Sequence, residues 1–370
     1  MQITVDQKQF AAALKTGAAT VSTRSFEGAD KLIRISAFCD NDVYVSSFDG
    51  VVGLSVHMSA LNTIDVAGSL YVDPKIVKLI AKMSGDIRLQ SVIGGLVVSD
   101  AAGSYTVAAY EYPSRGPTNG VQVGEINAQA LAMVLQNVRY AVATSPLRRA
   151  LTGIHVRAHA GLLTAQAAQA GAFSQAQAEI DIATNLDMLL PGAAVETLLD
   201  HLPSQGTVAV EVVDGYVIFR LAAVTVTVTV RLLDQVGFPD FSLIQDRIQN
   251  RKVLATVPKA ALQGALTRVG AVLTKTAILP AVGIAVGSEA VRVSADSESV
   301  SASVDLPAQD ALDLLYSQHF NGDFLGGAIS TITGDSVTLE IAGVDDHHLL
   351  VIEDEHSINI LSALAVMRGL

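Results

Sequence analysis

Two apolar stripes at helical spacing recur, in the same order, three times along this chain. Anchors of the first stripe are Phe10, Leu131 and Leu262, so its copies lie 121 and 131 residues apart. The second stripe is anchored at Ile76, Val195 and Leu325, with copies 119 and 130 residues apart. Its first copy reads Ile76, Leu79, Ile80, Met83; the others read Val195, Leu198, Leu199, Leu202 and Leu325, Ala328, Ile329, Ile332. Positions i, i+3, i+4 and i+7 fall on one face of a helix, so each stripe buries a face. Two markers that shift together define a long-period duplication. Alternating segments such as Val208, Val210, Val212 and Val337, Leu339, Ile341 follow the second stripe and read as strands. A period this long gives each copy its own core rather than a solenoid stack. The expected fold class is therefore α+β. It has three repeated domains, over residues 1–120, 121–250 and 251–370, each with two helices packed on antiparallel sheet.

Punctuation agrees with this plan. Asp73-Pro74 opens the second helix of the first copy, and Gly85 is expected to stop it as a left-handed cap. Pro191 and Gly206 bracket the equivalent helix in the second copy, and Gly334 closes the third. Residues Tyr112–Gly120, with two prolines and two glycines, read as a linker. The run Val224–Val230 alternates valine with threonine as a half-buried strand. It breaks at Gly237 and Pro239, and helical periodicity is expected again only at Leu262.

Half the residues are hydrophobic, but aromatics make up 5% and tryptophan is absent, so aliphatic side chains must fill the core. The formal charge of −12 argues against indiscriminate binding to nucleic acid, which needs lysine and arginine. A single cysteine, Cys39, rules out an intrachain disulfide and a cysteine-rich metal site. That suits a reducing compartment. The N-terminal residues carry an acid and alternate, unlike a signal peptide, and no apolar run reaches membrane-spanning length.

Catalytic constellations are missing. His347-His348 follows Asp345-Asp346, but adjacent side chains on a strand point to opposite faces and share an ion poorly. Gly322–Gly334 is glycine-rich without the lysine of a phosphate-binding loop, and there is no Gly-x-Ser-x-Gly elbow. The expectation is a protein that is not an enzyme and has no metal or cofactor.

Several segments, in order, carry a resemblance. MQITVDQKQFAAAL opens the chain, and Ser46-Ser47-Phe48-Asp49-Gly50 follows. Then come Leu147-Arg148-Arg149-Ala150-Leu151-Thr152-Gly153 and Arg231-Leu232-Leu233-Asp234 with Phe238-Pro239-Asp240-Phe241. Phe320-Asn321 with Phe324-Leu325 and the closing Val366-Met367-Arg368 complete the set. Together they resemble the bacterial-type DNA polymerase III beta sliding clamp, the processivity factor, as a divergent member. The resemblance implies the DNA clamp fold, closed head to tail as a homodimer ring with helices lining the hole. Such a clamp encircles duplex DNA without reading its sequence and tethers the replicative DNA polymerase after a clamp loader has placed it. It implies a cytoplasmic, nucleoid-associated protein, or one in the host cytoplasm if the source is a virus.

Residues carry over position by position. The DNA-facing set is Lys8, Lys15, Arg24, Lys75, Lys78, Lys82, Arg139, Arg148, Arg149, Arg268 and Lys275. Of these, Lys75, Lys78 and Lys82 also sit opposite the apolar stripe of their helix. The second helices of the other two copies carry only acids: Glu196, Asp200 and Asp323. The partner-peptide pocket is implied at Leu151, Pro239, Leu243, Ile244, Ala363, Ala365, Val366 and Met367. The subunit contact is implied at Tyr105 and Val107 on one side and Ala271 and Val272 on the other, with Lys75 facing Asp296 or Glu298. Two departures reshape the pocket. Ala167–Ala172 replaces the family's Thr-Asp-Gly-His-Arg-Leu, and Val366 stands where the family has proline. The sparse basic residues leave an alternative, a clamp-like protein-binding scaffold that does not hold DNA.

Overall fold

The computed structural model describes the chain except residues 24–27, 39, 62–63, 181–184, 222–224, 274–279, 298, 312–315, 344–347, 355–358 and 368–370. Cys39, Arg24, Lys275 and Glu298 therefore lie outside the described residues. One order of elements occurs three times: strand, helix, four strands, helix, three strands. The first copy is β1 (Gln2–Asp6), α1 (Gln7–Gly17), β2 (Ile33–Ala37), β3 (Asp42–Phe48), β4 (Val52–Ser59), β5 (Gly68–Val72), α2 (Ile76–Ile80), β6 (Asp86–Val92), β7 (Gly95–Ser99) and β8 (Ser104–Tyr110). The second is β9 (Val121–Asn127), α3 (Ala128–Val138), β10 (Gly153–His159), β11 (Leu162–Gln169), β12 (Ala172–Glu179), β13 (Leu186–Pro191), α4 (Gly192–His201), β14 (Thr207–Val213), β15 (Tyr216–Leu221) and β16 (Val226–Arg231). After α5 (Ser242–Ile248) the third runs β17 (Lys252–Pro258), α6 (Lys259–Gly270), β18 (Ala281–Val286), β19 (Ala290–Asp296), β20 (Ser301–Pro307), β21 (Tyr316–Asn321), α7 (Gly322–Thr331), β22 (Ser336–Ala342), β23 (Leu349–Asp354) and β24 (Asn359–Ala365).

By packing, the chain forms two compact units, each discontinuous in sequence. One joins Met1–Gln129 to Ala193–Leu232; the other joins Ala130–Gly192 to Leu233–Leu370. In the first unit, 12 strands hydrogen-bond in the order β1-β6-β7-β8-β5-β2-β3-β4-β16-β15-β14-β9. Helices α1 and α2 pack together, and α1 also lies on β3 and β4. Phe10, Leu14, Ile76 and Ile80 are buried beneath them. In the second unit an 8-stranded sheet runs β13-β10-β11-β12-β24-β23-β22-β17, beside a 4-stranded sheet β20-β19-β18-β21. There α6 lies on β19 and β20 and against α7. All six stripe anchors are buried, each contributing about 1.5–3 kcal/mol of apolar transfer.

The helix ends depart from expectation. Gly85 has φ +72°, but α2 already stops at Ile80, and the glycine serves the turn before β6 instead. Gly206, at φ +97°, similarly stands beyond α4, just before β14. Gly334 is not left-handed at all. Helix α7 ends because Ile332 turns extended and buries its side chain. Its freed carbonyl accepts from Lys259 Nζ, and the Thr333 N–H donates to the buried carboxylate of Asp354.

Among the elements that the sequence reading did not place, two bear on the site. Helix α5 is one. The other is β12, AFSQAQAE, which has no β-branched residue yet runs centrally between β11 and β24. Its polar side chains are buried because they find partners. Gln175 Oε1 accepts from Gln166 Nε2 at 2.6 Å, and Ser174 Oγ donates to Asn137 O at 3.3 Å. A buried amide is tolerated when hydrogen-bonded.

Candidate functional site

The loop after β16 is turned twice by carboxylates. Asp234 Oδ1 accepts from Val236 N at 2.9 Å, and Asp240 Oδ1 accepts from Ser242 N at 2.9 Å. Between them Gly237 takes φ +87°, a left-handed conformation that a side chain would strain. These turns lay Phe238 and Phe241 side by side, rings 5.4 Å apart and 5° from parallel. Phe241 also meets Phe173 of β12 at 4.3 Å. The three rings join one apolar cluster with Leu151, Ala168, Ile248, Val351, Leu361 and Ala363.

Three of the predicted pocket residues, Leu151, Ile244 and Ala363, belong to this cluster. Pro239 lies on its polar side. Leu243 does not join the floor; it is 63% exposed. On α5, Ile244 and Ile248 are one turn apart and face the cluster, so their neighbour Leu243 faces solvent. Ala365, Val366 and Met367 are half-buried beyond it. Ala365 N donates to Gly171 O at 3.0 Å and Met367 N to His319 O at 2.8 Å. Phe173, Phe238 and Phe241 were missed as pocket residues. The two aromatics flanking Pro239-Asp240 were the available signal.

Beside the phenyl pair opens a polar cleft of about 380 Å³, lined by His155, Arg157, Gln166, Pro239, Asp240 and Gln245 among others. The His155 ring meets Phe238 edge-on at 5.1 Å and bonds Asp187 Oδ1 through Nε2 at 2.7 Å. Gln235 Nε2 donates to the same oxygen at 2.8 Å. Partial burial pushes the Asp187 carboxyl up, but the bonds from His155 and Gln235 and the nearby positive charges outweigh it, and its pKa ends lowered. A depressed carboxylate pKa contributes stability that is complete above the unfolded value of about 3.9 and is lost as pH falls through the lower folded value. Asp187→Asn should therefore flatten the fall in melting temperature below about pH 4. An unchanged acid limb would show that this carboxylate is not linked to folding.

The predicted basic residues fall into two sets. In the first unit Lys8 and Lys15 are exposed on α1, and Lys75, Lys78 and Lys82 are exposed in and around α2. Lys75 Nζ has a loose, exposed contact of 3.8 Å with Asp73. In the second unit Arg139, Arg148, Arg149 and Arg268 are exposed. Of the predicted subunit contacts, Tyr105 is 49% exposed and Val107 half-buried, both on β8. Ala271 caps α6 and is exposed, with Val272 half-buried after it. Among the described residues no group of acids, histidines and cysteines could hold a metal, and no helix is long and apolar enough to cross a membrane.

No curated protein matches this sequence. Residues 125–240 match the family described as the DNA polymerase III beta subunit, central domain. Solved structures match over 100% of both chains. They include the DNA polymerase sliding clamp from Bacillus subtilis, at 17% identity and a TM-score of 0.87. The sliding clamp from Pseudomonas aeruginosa with ligand matches at 15% and 0.88. The sliding clamp from Bartonella birtlesii bound to griselimycin matches at 20% and 0.87. Over its whole length this chain has the fold of the bacterial DNA polymerase III beta sliding clamps, and its middle third matches the family model of that subunit's central domain.

Proposed function

We propose that this protein is a sliding clamp: two copies close head to tail around duplex DNA and tether a polymerase, with residues 1–120, 121–250 and 251–370 as its three domains. One observation carries this reading. The last strand of the second copy, β16, pairs with the fourth strand of the first copy, β4. The last strand of the third, β24, pairs in the same way with the fourth strand of the second, β12. The rule leaves two strands over. They are β8, last of the first copy, and β20, fourth of the third. Among the described residues, strand β8 pairs with β7 and only at its end with β5, while β20 pairs with β19 alone. An unpaired edge seeks a partner. Applied between molecules, the same rule joins β8 of one copy to β20 of another, twice, and then every copy's last strand is paired with a fourth strand. Tyr105, Val107, Ala271 and Val272 then flank the junction, since α6 lies on β20.

The clamp does no chemistry. Exposed Lys8, Lys15, Lys78 and Arg268 on the helices and Lys82 just beyond α2 face DNA phosphates, with Arg24 and Arg149 added by the family resemblance and Lys275 by its place in the sequence after α6. The acids of α4 and α7 keep the contact weak. Sliding tolerates weak contacts because escape requires opening the ring. The apolar cluster around Ile244 and Phe241 takes a short apolar peptide from polymerase and loader.

The test is retention on DNA. Loaded protein should stay on nicked circular duplex through gel filtration and be lost when the circle is cut. Equal loss from both forms would favour the scaffold reading. Replacing Lys78 and Lys82 with glutamine should lower the slope of log K against log salt by about 0.9 per phosphate contact removed.

A further inference from the structure

The linker after β8 is strapped across the first unit's large sheet. At one end Arg34 Nη1 donates to Ser114 Oγ at 2.7 Å, and the Tyr71 hydroxyl donates to Pro113 O at 3.0 Å. At the other end Arg220 Nη2 donates to Thr118 O at 2.9 Å and to Asn119 Oδ1 at 3.0 Å. Beneath the strap is a cavity of about 80 Å³.

Its floor is a single cross-strand row. Arg34 on β2 stands opposite Ser46 on β3, Ser46 opposite Ser55 on β4, Ser55 opposite Thr227 on β16, and Thr227 opposite Arg220 on β15. Thr229 lies two residues along. Among the described residues the hydroxyls of Ser46, Ser55, Thr227 and Thr229 have no hydrogen-bond partner in the protein. All four residues are half-buried, so their hydroxyls are free to bond whatever enters the cavity.

The charge is one-sided. Arg34, Arg115 and Arg220 line the cavity and no carboxylate does, in a chain with 36 acids against 24 lysines and arginines. Arg115 meets the buried Asp30 at 3.2 Å, and Arg220 is paired with Glu211, both outside the lining. Arg34 has only the neutral hydroxyls of Ser69 and Ser114 as partners, so its charge is uncompensated. Hydroxyl donors converging beside a guanidinium suit an oxyanion, since such charge-assisted bonds are the strong ones. The volume is far below the ~300 Å³ and more of a drug-sized pocket, so one tetrahedral group fits and a whole nucleotide does not.

We propose that this strapped cavity binds a single tetrahedral oxyanion of the phosphate class, held by Arg34 and the serine–threonine row. Two sources share that chemistry: free orthophosphate, and the phosphate of a monoester reaching in from outside. Calorimetric titration of the full-length protein with orthophosphate, and separately with adenosine monophosphate, at constant ionic strength tests it. Saturable one-site binding of either supports the site, and whichever binds more tightly names the source. Arg34→Met and Thr227→Val should each weaken binding, Arg34→Met by about tenfold, as expected for loss of a charged hydrogen bond. Arg88→Met, on β6 and outside the lining, is the control. The melting temperature of each variant without phosphate shows that it is folded. The proposal is overturned if neither compound binds saturably at millimolar concentration. It is equally overturned if folded Arg34→Met and Thr227→Val bind as the parent does, which leaves a water-filled cavity only.

Discussion

Thr106→Pro is expected to turn the proposed dimer into a folded monomer. In the β7–β8 ladder Ala109 N donates to Gly94 O, which sets the alternation. The N–H groups of Tyr105, Val107 and Ala109 aim at β7, and those of Thr106 and Ala108 aim outward. Proline at Thr106 therefore removes a donor from the open edge and none from the chain's own ladder. Prolines are tolerated on edge strands for this reason. The facing carbonyl of β20 would lose its partner, at a cost of about 1–3 kcal/mol per junction. A ring has two junctions, so the dimer dissociation constant should rise at least about thirtyfold. Sedimentation equilibrium at micromolar concentration measures this, with thermal unfolding as the folding control. A folded Thr106→Pro protein that remains a tight dimer would remove β8 from the interface, and with it the pairing rule behind the proposed ring.

Phe241→Ala should produce the largest loss of stability among the cluster residues. Phe241 is 4% exposed and packs against both Phe238 and Phe173. Removing a buried phenyl costs about 3–5 kcal/mol through lost transfer energy and the cavity left behind. In a unit of this size that lowers the melting temperature by roughly 10 °C. Peptide binding should fail with it. Ile244→Gln separates the two effects: Ile244 is only half-buried, so stability should change by about 1 kcal/mol while apolar peptide affinity falls at least about tenfold. A change below about 1 kcal/mol for Phe241→Ala would mean that the three rings are not a cooperative part of the core. Normal peptide binding by folded Ile244→Gln would move the pocket elsewhere.

The helices and most strands were legible because their signals are local. Phe10 and Leu14, or Leu131 through Val138, show the helical repeat within two or three turns, and their burial follows. Strand β12 was not legible. Gln175 and Ser174 enter the interior only because Gln166 and Asn137 meet them there, and the residue types alone do not say that these groups will pair. Helix α5 failed for a related reason. Its seven residues show one apolar pair, Ile244 and Ile248, too short a stripe to register until Phe241 and Ala363 supply the surface it covers. The helix stops at Gly85 and Gly334 were misplaced because the ends are decided by the strands that follow.

Within the candidate site the same division holds. Leu151, Ile244 and Ala363 were reached through the family resemblance, whereas the stacked Phe238 and Phe241 required the turns made by Asp234 and Asp240. The strap over the arginine-lined cavity was visible only as a proline- and glycine-rich linker. What it covers depends on side chains from β2, β3, β4, β15 and β16.

By itself, the sequence established a threefold duplication and the buried face of each helix, because the periods of helix and strand are carried by neighbouring residues. The tertiary structure alone decided that the last strands of the second and third copies join the preceding copy's fourth, that glutamines can line an interior, and that β8 and β20 are left without such a pairing. Those outcomes depend on partners brought together by strand pairing, from nine residues apart for Gln166 and Gln175 to well over a hundred for β4 and β16, and partner choice leaves no periodic trace in the chain.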